Sequence, residues 1–405
     1  MLDVKSIRKD FPFIVNNPEV VYLDNGATSL KPQSVIDAVN AYYSEYTANI
    51  HRGDYDTSLK SSKAYDDTRV LVKNFINAKS ASEIIFTSGD TYSLNQIVFG
   101  YIKTHLKDDE YILSSKLEHA SSILPVYKCT DNFVFVDVNP DGTLNLAEFE
   151  KQFKLNPKIK YVVITYVSNV LGYINPIKEL CALAHQYDVK VVVDAAQAVP
   201  HIKVDVQDLD VDFLTFSGHK MLSASGVGVL YGKHELLEEM TPLVYGGGSN
   251  ARFDDQGNII LKNVPERFES GTPNIEGVLS LGAAITYLNN IGMDKIHEYD
   301  KNLVSYAMSK FKELDNIIIY NPKSTSSLIT INVKGIFAQD VASYLNYHHI
   351  CVRTGNHCAK ILHNIIGEDQ TIRISIYFYN TKEEIDKIYN VLKDITIEKC
   401  IGVVI

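Results

Sequence analysis

An acidic and a basic side chain each follow a short apolar run, and they lie 26 residues apart. Asp194 follows the run VVV, and Lys220 ends the segment SGHK that follows the run FLTF. This separation leaves room for one crossover and a return strand, so both side chains can lie at adjacent strand ends. A lysine that can form a Schiff base, beside a carboxylate that keeps a pyridine nitrogen protonated, suits pyridoxal phosphate. Either residue alone is more often a solvated lysine or a helix cap, but the combination favours the cofactor.

One cysteine has surroundings that differ from those of the others. Cys358 lies in the polar segment RTGNHCA with Arg353 and His357, and such neighbours favour a thiolate. The five cysteines form no C-x-x-C pair, so we expect no disulfide framework, no zinc knuckle and no metal site. Three others are interpreted as small buried apolar side chains: Cys129, Cys181 and Cys351.

Three further segments carry polar side chains that can meet a ligand. Residues 86–91, FTSGDT, predict a strand, a glycine turn and a helix start, whose free N–H groups favour a phosphate. Arg373 lies inside the apolar segment IRISI and needs an anionic partner, which is either a structural salt bridge or a bound carboxylate. His119 follows a predicted strand, and a single histidine near apolar residues is more often structural than catalytic.

The elements that position these residues alternate between short β-branched runs and helical patterns. Strands are predicted at residues 83–87, 161–167, 189–193 and 213–216, with helices at 91–101 and 177–187. This alternation predicts an α/β fold with a mostly parallel sheet, which binds ligands beyond the carboxyl ends of its strands. Beyond about residue 280 helices and strands follow one another in a less regular order, which predicts a smaller α+β domain. The predicted elements of this part include a helix at 279–290 and a strand at 351–353. We expect an N-terminal segment at 1–20 that packs with the small domain, a large cofactor-binding domain at 21–280, and the small domain, carrying the Cys358 loop, at 281–405.

Composition narrows the class of protein. The chain has 405 residues, 45% of them apolar, and a formal net charge of −10. A globular chain is expected, and the acidic balance argues against nucleic acid as the main partner. The sequence shows no signal-peptide core and no run of 18 apolar residues, so we predict a cytoplasmic protein that does not enter a membrane.

Several segments together resemble the class V aminotransferase family, specifically the SUF-type cysteine desulfurases. They include LDNGATSLKP, NIHRGDY, LEHASSILP, SNVLGYINP, VDAAQAV, SGHK, RFESGTPN, VRTGNHCA and IRISIYFYNTKEEID, in the order in which the family has them. The resemblance implies the aspartate-aminotransferase type of fold, pyridoxal phosphate as cofactor and a homodimer. It implies conversion of L-cysteine to L-alanine, with a persulfide on Cys358 that passes to an acceptor protein of iron–sulfur cluster assembly.

The resemblance also implies roles for single residues. The implied catalytic residues are Lys220, Cys358 and His119. Lys220 binds the cofactor and takes the substrate's α-proton, Asp194 supports the ring nitrogen, and His119 stacks on the ring and shuttles protons. The residues implied to contact the cofactor are Lys220, His119, Asp194, Gln197, Thr91, Asn169, Ser217 and His219, with Thr272 reaching the phosphate from a second subunit. The residues implied to bind the substrate are Arg373, Arg353 and Asn169, and Arg52 is a further candidate.

The chain departs from the family pattern at several positions, which leaves alternatives open. Ser88 and Asp90 replace the Arg and a Thr of the usual FTRGTT, Ser223–Ser225 replace a Gly-Pro segment, and Asn356 replaces a histidine. A carboxylate near a phosphate is unfavourable unless it points away. The alternatives are a selenocysteine lyase or an aminotransferase-like enzyme on the same scaffold, and a weakly catalytic scaffold protein.

Overall fold

The computed structural model describes residues 2–51 and 53–404. Its strands are β1 Val21–Tyr22, β2 Ile84–Thr87, β3 Tyr111–Ser115, β4 Phe133–Val136, β5 Ile159–Thr165, β6 Lys190–Asp194, β7 Phe213–Ser217, β8 Gly228–Gly232, β9 Asn250–Phe253, β10 Ile259–Leu261, β11 Ile317–Ile319, β12 Leu328–Val333, β13 Ile350–Cys351, β14 Arg353–Gly355 and β15 Thr371–Ser375. Its helices are α1 Val4–Ile7, α2 Pro12–Asn16, α3 Gln33–Glu45, α4 Asp56–Phe75, α5 Asp90–Ile97, α6 Lys103–His105, α7 Ala120–Cys129, α8 Leu146–Leu155, α9 Ile177–His185, α10 Val206–Leu209, α11 His234–Glu239, α12 Ile275–Ile291, α13 Met293–Phe311, α14 Ala338–Tyr347, α15 Lys360–Ile366, α16 Lys382–Lys393 and α17 Ile397–Val404.

A seven-stranded sheet forms the centre of the larger part of the chain. Its strand order is β2-β8-β7-β6-β5-β3-β4, and every pair is parallel except the two pairs made by β8. Strands β6 and β7 read KVVVD and FLTFS, and almost every one of their residues is buried. Continuous apolar runs are typical of parallel strands that helices cover on both faces. The observed mixed α/β architecture agrees with the predicted fold class.

A separate four-stranded sheet lies in the C-terminal part, with the order β11-β12-β15-β14 and antiparallel pairing throughout. Its own apolar core contains Phe311, Ile329, Ile331, Ile372 and Ile374, none of which is measurably exposed. Helices α13, α14 and α16 pack against this core. Their buried residues recur at the helical period, so each helix has one apolar face. This sheet holds β14 and β15, the strands on either side of the Cys358 loop.

The N-terminal segment is tied to residues near the C-terminal end of the chain. The Arg8 guanidinium donates to the backbone oxygen of Tyr379 at 2.7 Å and to Glu384 Oε1 at 2.8 Å. The ring of Phe11 lies 4.6 Å from that of Tyr379 between centroids. The division into domains at residues 20 and 280 stays a prediction, and α12 runs continuously across residue 280.

Two predicted elements have different ends in the structure. The helix predicted at 279–290 begins earlier, at Ile275, because Asn274 Oδ1 accepts the Gly277 N–H at 2.9 Å and caps the first turn. The single strand predicted at 351–353 is two short strands, β13 and β14, which pair with different sheets. Among the described helices, none is both long and apolar enough to cross a membrane.

Candidate active site

The carboxyl ends of β6 and β7 bring the two sequence-predicted anchors together. Asp194 ends β6, and a 3-10 turn at Gly218–Lys220 follows the end of β7. The strands are parallel neighbours, with Asp194 paired to Thr215, so both ends open at one edge of the sheet. The cavity at this edge has a volume of about 220 Å³. Its lining includes Lys220, Asp194, His119, Gln197, Thr91, Asn169, Ser217, His219, Arg353, Arg373 and Cys358.

Lys220 lines this cavity and is half-buried. Burial lowers the pKa of its amine, and the neighbouring carboxyl groups of Asp194 and Asp90 oppose that shift. A lowered amine pKa leaves more of the neutral form, which is the nucleophilic one. The geometry therefore suits a lysine that forms a covalent bond with a carbonyl compound.

Two hydrogen bonds fix the Asp194 carboxylate, which is 4% exposed. The Ser122 hydroxyl donates to Oδ2 at 3.1 Å, and the backbone N–H of Ala196 donates to Oδ1 at 3.0 Å. These two hydrogen bonds hold the carboxylate in one orientation. The role of Ser122 was not predicted, although it lies in the segment LEHASSILP.

His119 caps helix α7 and is neutral for that reason. Its Nδ1 accepts the backbone N–H of Ser121 at 3.1 Å, so the ring proton lies on Nε2. Burial lowers the pKa of the imidazole, with the Asp194 carboxylate acting in the opposite direction. The result is a neutral imidazole of fixed tautomer at the cavity wall.

The start of helix α5 forms the end of the cavity that suits an anion. The Asp90 N–H donates to Ser217 Oγ at 2.9 Å, and the hydroxyls of Thr91 and Ser121 are 2.8 Å apart. A Cβ at Gly228 would lie 2.5 Å from the Gly89 Cα, so only glycine allows the two chains to approach this closely. Burial is the main cause that lowers the pKa of His219 to about 4. Hydroxyls and helix N–H groups, not a charged imidazole, therefore make this end of the cavity attractive to a phosphate.

The buried carboxyl group of Asp90 lies at the same end. Burial raises the pKa of Asp90 to about 8, and the nearby Asp194 carboxylate acts in the same direction. Its Oδ1 has no hydrogen-bond partner among the described residues. A protonated carboxyl can donate a hydrogen bond to a phosphate, so Asp90 does not exclude one.

Two arginines that line the cavity share one aspartate as a partner. Arg373, 3% exposed, donates from Nη1 to the backbone oxygen of Asn169 at 3.0 Å, and its Nη2 lies 3.5 Å from Asp24 Oδ1. Arg353 is more exposed, and its Nη1 lies 3.8 Å from Asp24 Oδ2. The expected anionic partner of Arg373 thus exists within the chain as Asp24, for which no role was predicted. Nε of Arg373 has no partner among the described residues, so it can still donate a hydrogen bond to a bound carboxylate.

Cys358 is the exposed cysteine at the cavity, in the loop between β14 and α15. Its backbone has φ 57°, and its carbonyl accepts the Ala120 N–H at 2.8 Å. Cys181 is buried as predicted, but Cys129 and Cys351 are only partly buried, so that interpretation is wrong in degree for these two. Both lie on elements whose outer side faces solvent, at the last residue of α7 and in β13.

Of the predicted positions that the structure describes, Thr272 lies outside the cavity. Thr272 is in a second hollow with Asn49, His51 and Gly271, and its hydroxyl lies 3.4 Å from Asn49 Nδ2. Its contribution from a second subunit stays a prediction. Arg52 lies outside the described residues.

The residues present fit pyridoxal phosphate. Lys220 would supply the amine, Asp194 would offer an oriented carboxylate to the ring nitrogen, and the start of α5 with Ser217 would hold the phosphate. Asn169 Oδ1 and Arg373 Nε are buried without partners among the described residues. A ligand with both hydrogen-bond donors and acceptors would satisfy them. No metal-ligating cluster is present in the described ranges.

Comparison with known proteins defines the class of the chain. The chain belongs to the class V aminotransferase family, whose model matches residues 21–388. It is 40% identical to a probable cysteine desulfurase of Halalkalibacterium halodurans over 95% of this chain and 96% of that protein. The apo structure of a cysteine desulfurase from Thermococcus onnurineus superposes with a TM-score of 0.92 at 36% identity, over 97% of this chain and 98% of that chain. A cysteine desulfurase from Escherichia coli, in an S-sulfonic acid form, superposes with a TM-score of 0.90 at 29% identity, over 99% of both chains.

These similarities confirm the family resemblance and the fold class that the motifs predict. The prediction of a pyridoxal-phosphate enzyme is confirmed with them, since the family and the donor set of the cavity agree.

Proposed function

We propose that the protein removes sulfur from L-cysteine with pyridoxal phosphate, releases L-alanine and holds the sulfur as a persulfide on Cys358. The observation that carries the proposal is that the exposed Cys358 lines the same cavity as Lys220, whose amine pKa is lowered by desolvation. The similar proteins from Halalkalibacterium halodurans and Thermococcus onnurineus carry the name cysteine desulfurase.

The cofactor, when bound, supplies the electron sink that makes the substrate's α-carbon acidic. Asp194 holds a proton on the ring nitrogen through an orientation fixed by Ser122. The lowered amine pKa of Lys220 suits it to take the proton from the α-carbon and to return one. His119, neutral with its proton on Nε2, offers a flat face and one N–H at the wall.

Substrate binding relies on the two arginines that line the cavity, Arg373 and Arg353. Arg373 presents its guanidinium from a buried strand, so a carboxylate can bind it at little entropic cost. Arg353 lies beside it and adds a second positive charge. Asp24 holds both guanidinium groups in place, because each lies within 4 Å of one of its oxygens.

The sulfur step needs no external oxidant. The Cys358 thiolate forms an S–S bond with the substrate sulfur, and the C–S bond breaks with its electron pair on the β-carbon. That carbon takes up a proton and becomes the methyl group of alanine. The sulfur is oxidised and the carbon reduced, so the electrons balance on the two reactants.

A homodimer, an acceptor protein for the persulfide and a cytoplasmic location belong to the same proposal. Thr272 lines a second cavity, separate from the one that Lys220 lines, which supports a site completed by a second subunit. Cys358 is exposed at the surface, which supports delivery of sulfur to another protein of iron–sulfur cluster assembly. The five cysteines are all free thiols, which supports a reducing compartment.

The direct test measures alanine from L-cysteine with and without a thiol reductant. We expect alanine in both assays, more with the reductant, and an increase of one sulfur atom in the mass of the intact protein. Alanine formation that requires an added keto acid and leaves no sulfur on the protein would establish transamination instead. Release of selenide from selenocysteine at a higher kcat/KM than sulfide from cysteine would favour the selenocysteine lyase.

A further inference from the structure

Two buried histidines behind the Cys358 loop share one hydroxyl group. His357 Nε2 lies 3.0 Å from Thr371 Oγ1, and His363 Nε2 lies 3.1 Å from the same oxygen. On its other side, His363 Nδ1 lies 3.1 Å from the backbone oxygen of Ala359. Thr371 and His363 are fully buried, and His357 is 5% exposed. The antiparallel pairing of β14 with β15 places Thr371 opposite Gly355.

The positions of the protons in this chain follow from its chemistry. A carbonyl oxygen only accepts, so His363 Nδ1 carries a proton and donates to Ala359. Burial lowers the pKa of His363, which keeps the ring neutral and leaves its Nε2 as an acceptor. The single hydroxyl proton of Thr371 must then point to His363 Nε2, because no other proton can fill that contact.

The same reasoning fixes the tautomer of His357. Since the Thr371 proton is used by His363, the Thr371 oxygen accepts, and His357 Nε2 carries the proton. Burial, together with the Arg373 and Arg353 guanidinium groups and His363, lowers the pKa of His357 to about 2, so the ring is neutral. Its Nδ1 is therefore a bare lone pair.

That nitrogen is buried and has no partner among the described residues. His357 also lines the cavity, beside Cys358, Asn169 and Arg373. The loop holds the ring in place, because Asn169 Nδ2 donates to the His357 carbonyl at 2.7 Å. A buried acceptor without a donor costs free energy unless an occupant supplies one.

We propose that His357 is a fixed-tautomer acceptor whose Nδ1 receives a hydrogen bond from a donor group of the substrate, and that Thr371 is the positioning residue that sets this tautomer. The inference rests on the proposed function for the identity of the substrate, whose ammonium and thiol groups are the two available donors. The tautomer itself is a property of the chain alone.

The first test is made on the wild-type holoenzyme with ¹⁵N-labelled histidine by long-range ¹H–¹⁵N NMR. We expect His357, assigned by its loss in His357→Gln, to show a protonated Nε2 and a bare Nδ1. A protonated Nδ1, or a doubly protonated ring, near neutral pH would overturn the proposal without any measurement of turnover.

The second test uses a matched pair of variants at Thr371, which does not line the cavity. Thr371→Ser keeps the hydroxyl and should keep both the tautomer and the KM for L-cysteine. Thr371→Val keeps the size but removes the hydroxyl. The fraction of His357 rings that carry the proton on Nδ1 should therefore rise, and the KM for L-cysteine should rise about two- to tenfold with kcat changed less. Equal KM values and tautomers in both variants, each with a wild-type unfolding transition, would contradict the role of Thr371.

Two probes distinguish the donor. With 3-mercaptopropionate, which has a thiol and no ammonium, a shift of the His357 Nδ1 signal assigns the thiol. With L-alanine, which has an ammonium and no thiol, a shift assigns the nitrogen. No shift with either probe or with L-cysteine would refute acceptance from the substrate. These NMR measurements do not depend on alanine production. If the proposed function is wrong and the tautomer is right, the protein will form no alanine but His357 will still have an unprotonated Nδ1.

Discussion

Asn169 Nδ2 donates to the backbone oxygen of His357 at 2.7 Å and so joins the loop after β5 to the loop that carries Cys358. In that second loop, His357 and Cys358 have positive φ values of 51° and 57°. Such left-handed conformations cost free energy for residues other than glycine, so contacts from outside the loop must hold them. The conformation of the Cys358 loop is therefore held by a hydrogen bond from the loop after β5, and not by the Cys358 loop alone.

Replacing Cys358 with serine should separate cofactor binding from sulfur chemistry. Serine keeps the size, so the protein should fold and remain yellow with bound cofactor. Alanine formation from L-cysteine should fall by at least about a hundredfold, because a hydroxyl is barely ionised at neutral pH and attacks sulfur poorly. Alanine release and the intact-protein mass measure the two effects.

The matched controls are Cys129→Ser and Cys351→Ser, which change partly buried thiols away from the cavity. Both should retain turnover within about twofold. Near-normal desulfuration by Cys358→Ser would remove this residue from the mechanism.

Lys220→Ala should abolish both the absorbance of covalently held cofactor and all turnover. Lys220→Arg should be equally inactive, because the role depends on an amine that can lose its proton and not on positive charge. Burial already lowers the pKa of the lysine amine, whereas a guanidinium stays charged. Absorbance spectra after addition of the cofactor and alanine assays provide the measurement, and substantial activity of the arginine variant would refute the assignment.

Arg373→Ala should raise the KM for L-cysteine more than it lowers kcat. Loss of a charge-assisted bidentate contact costs about 2–4 kcal/mol, which is about thirty- to a thousandfold in kcat/KM. The comparison variant is Arg353→Ala, whose side chain is 47% exposed and should cost less than about tenfold. Steady-state kinetics on both variants test this, and a larger loss in Arg353→Ala would reverse the order of importance.

Asp90→Asn should stabilise the apo protein, and increasingly so as the pH rises from 5 to 8. Burial raises the pKa of the Asp90 carboxyl to about 8, above the value of 3.8 for the free side chain. Between these values the folded protein binds more protons than the unfolded chain, so folding stability declines with rising pH. Asparagine does not ionise, and the gain should exceed about 1 kcal/mol at pH 8.

Thermal unfolding of wild type and Asp90→Asn across this pH range gives the difference directly. Asp137→Asn is a suitable control because Asp137 is a largely exposed carboxylate. A difference in Tm that stays constant with pH would show that Asp90 is ionised in the folded protein throughout the range.

The local sequence was sufficient to place Asp194 and Lys220 at neighbouring strand ends. Each follows an apolar run, and parallel strands joined by one crossover must open at the same edge of the sheet. The exposed polar loop around Cys358 was likewise readable, because glycine, asparagine and histidine cluster there.

What the sequence by itself determined is therefore the fold class, the family and the residues that end each strand, since these depend on short-range patterns and on motif order. The tertiary structure alone decided which distant groups meet: Asp24 with Arg373, 349 positions away, and Asn169 with His357, 188 positions away. It also decided the state of Asp90 and the tautomer of His357. Burial and hydrogen-bond partners set both, and these arise only when elements far apart in the chain pack together.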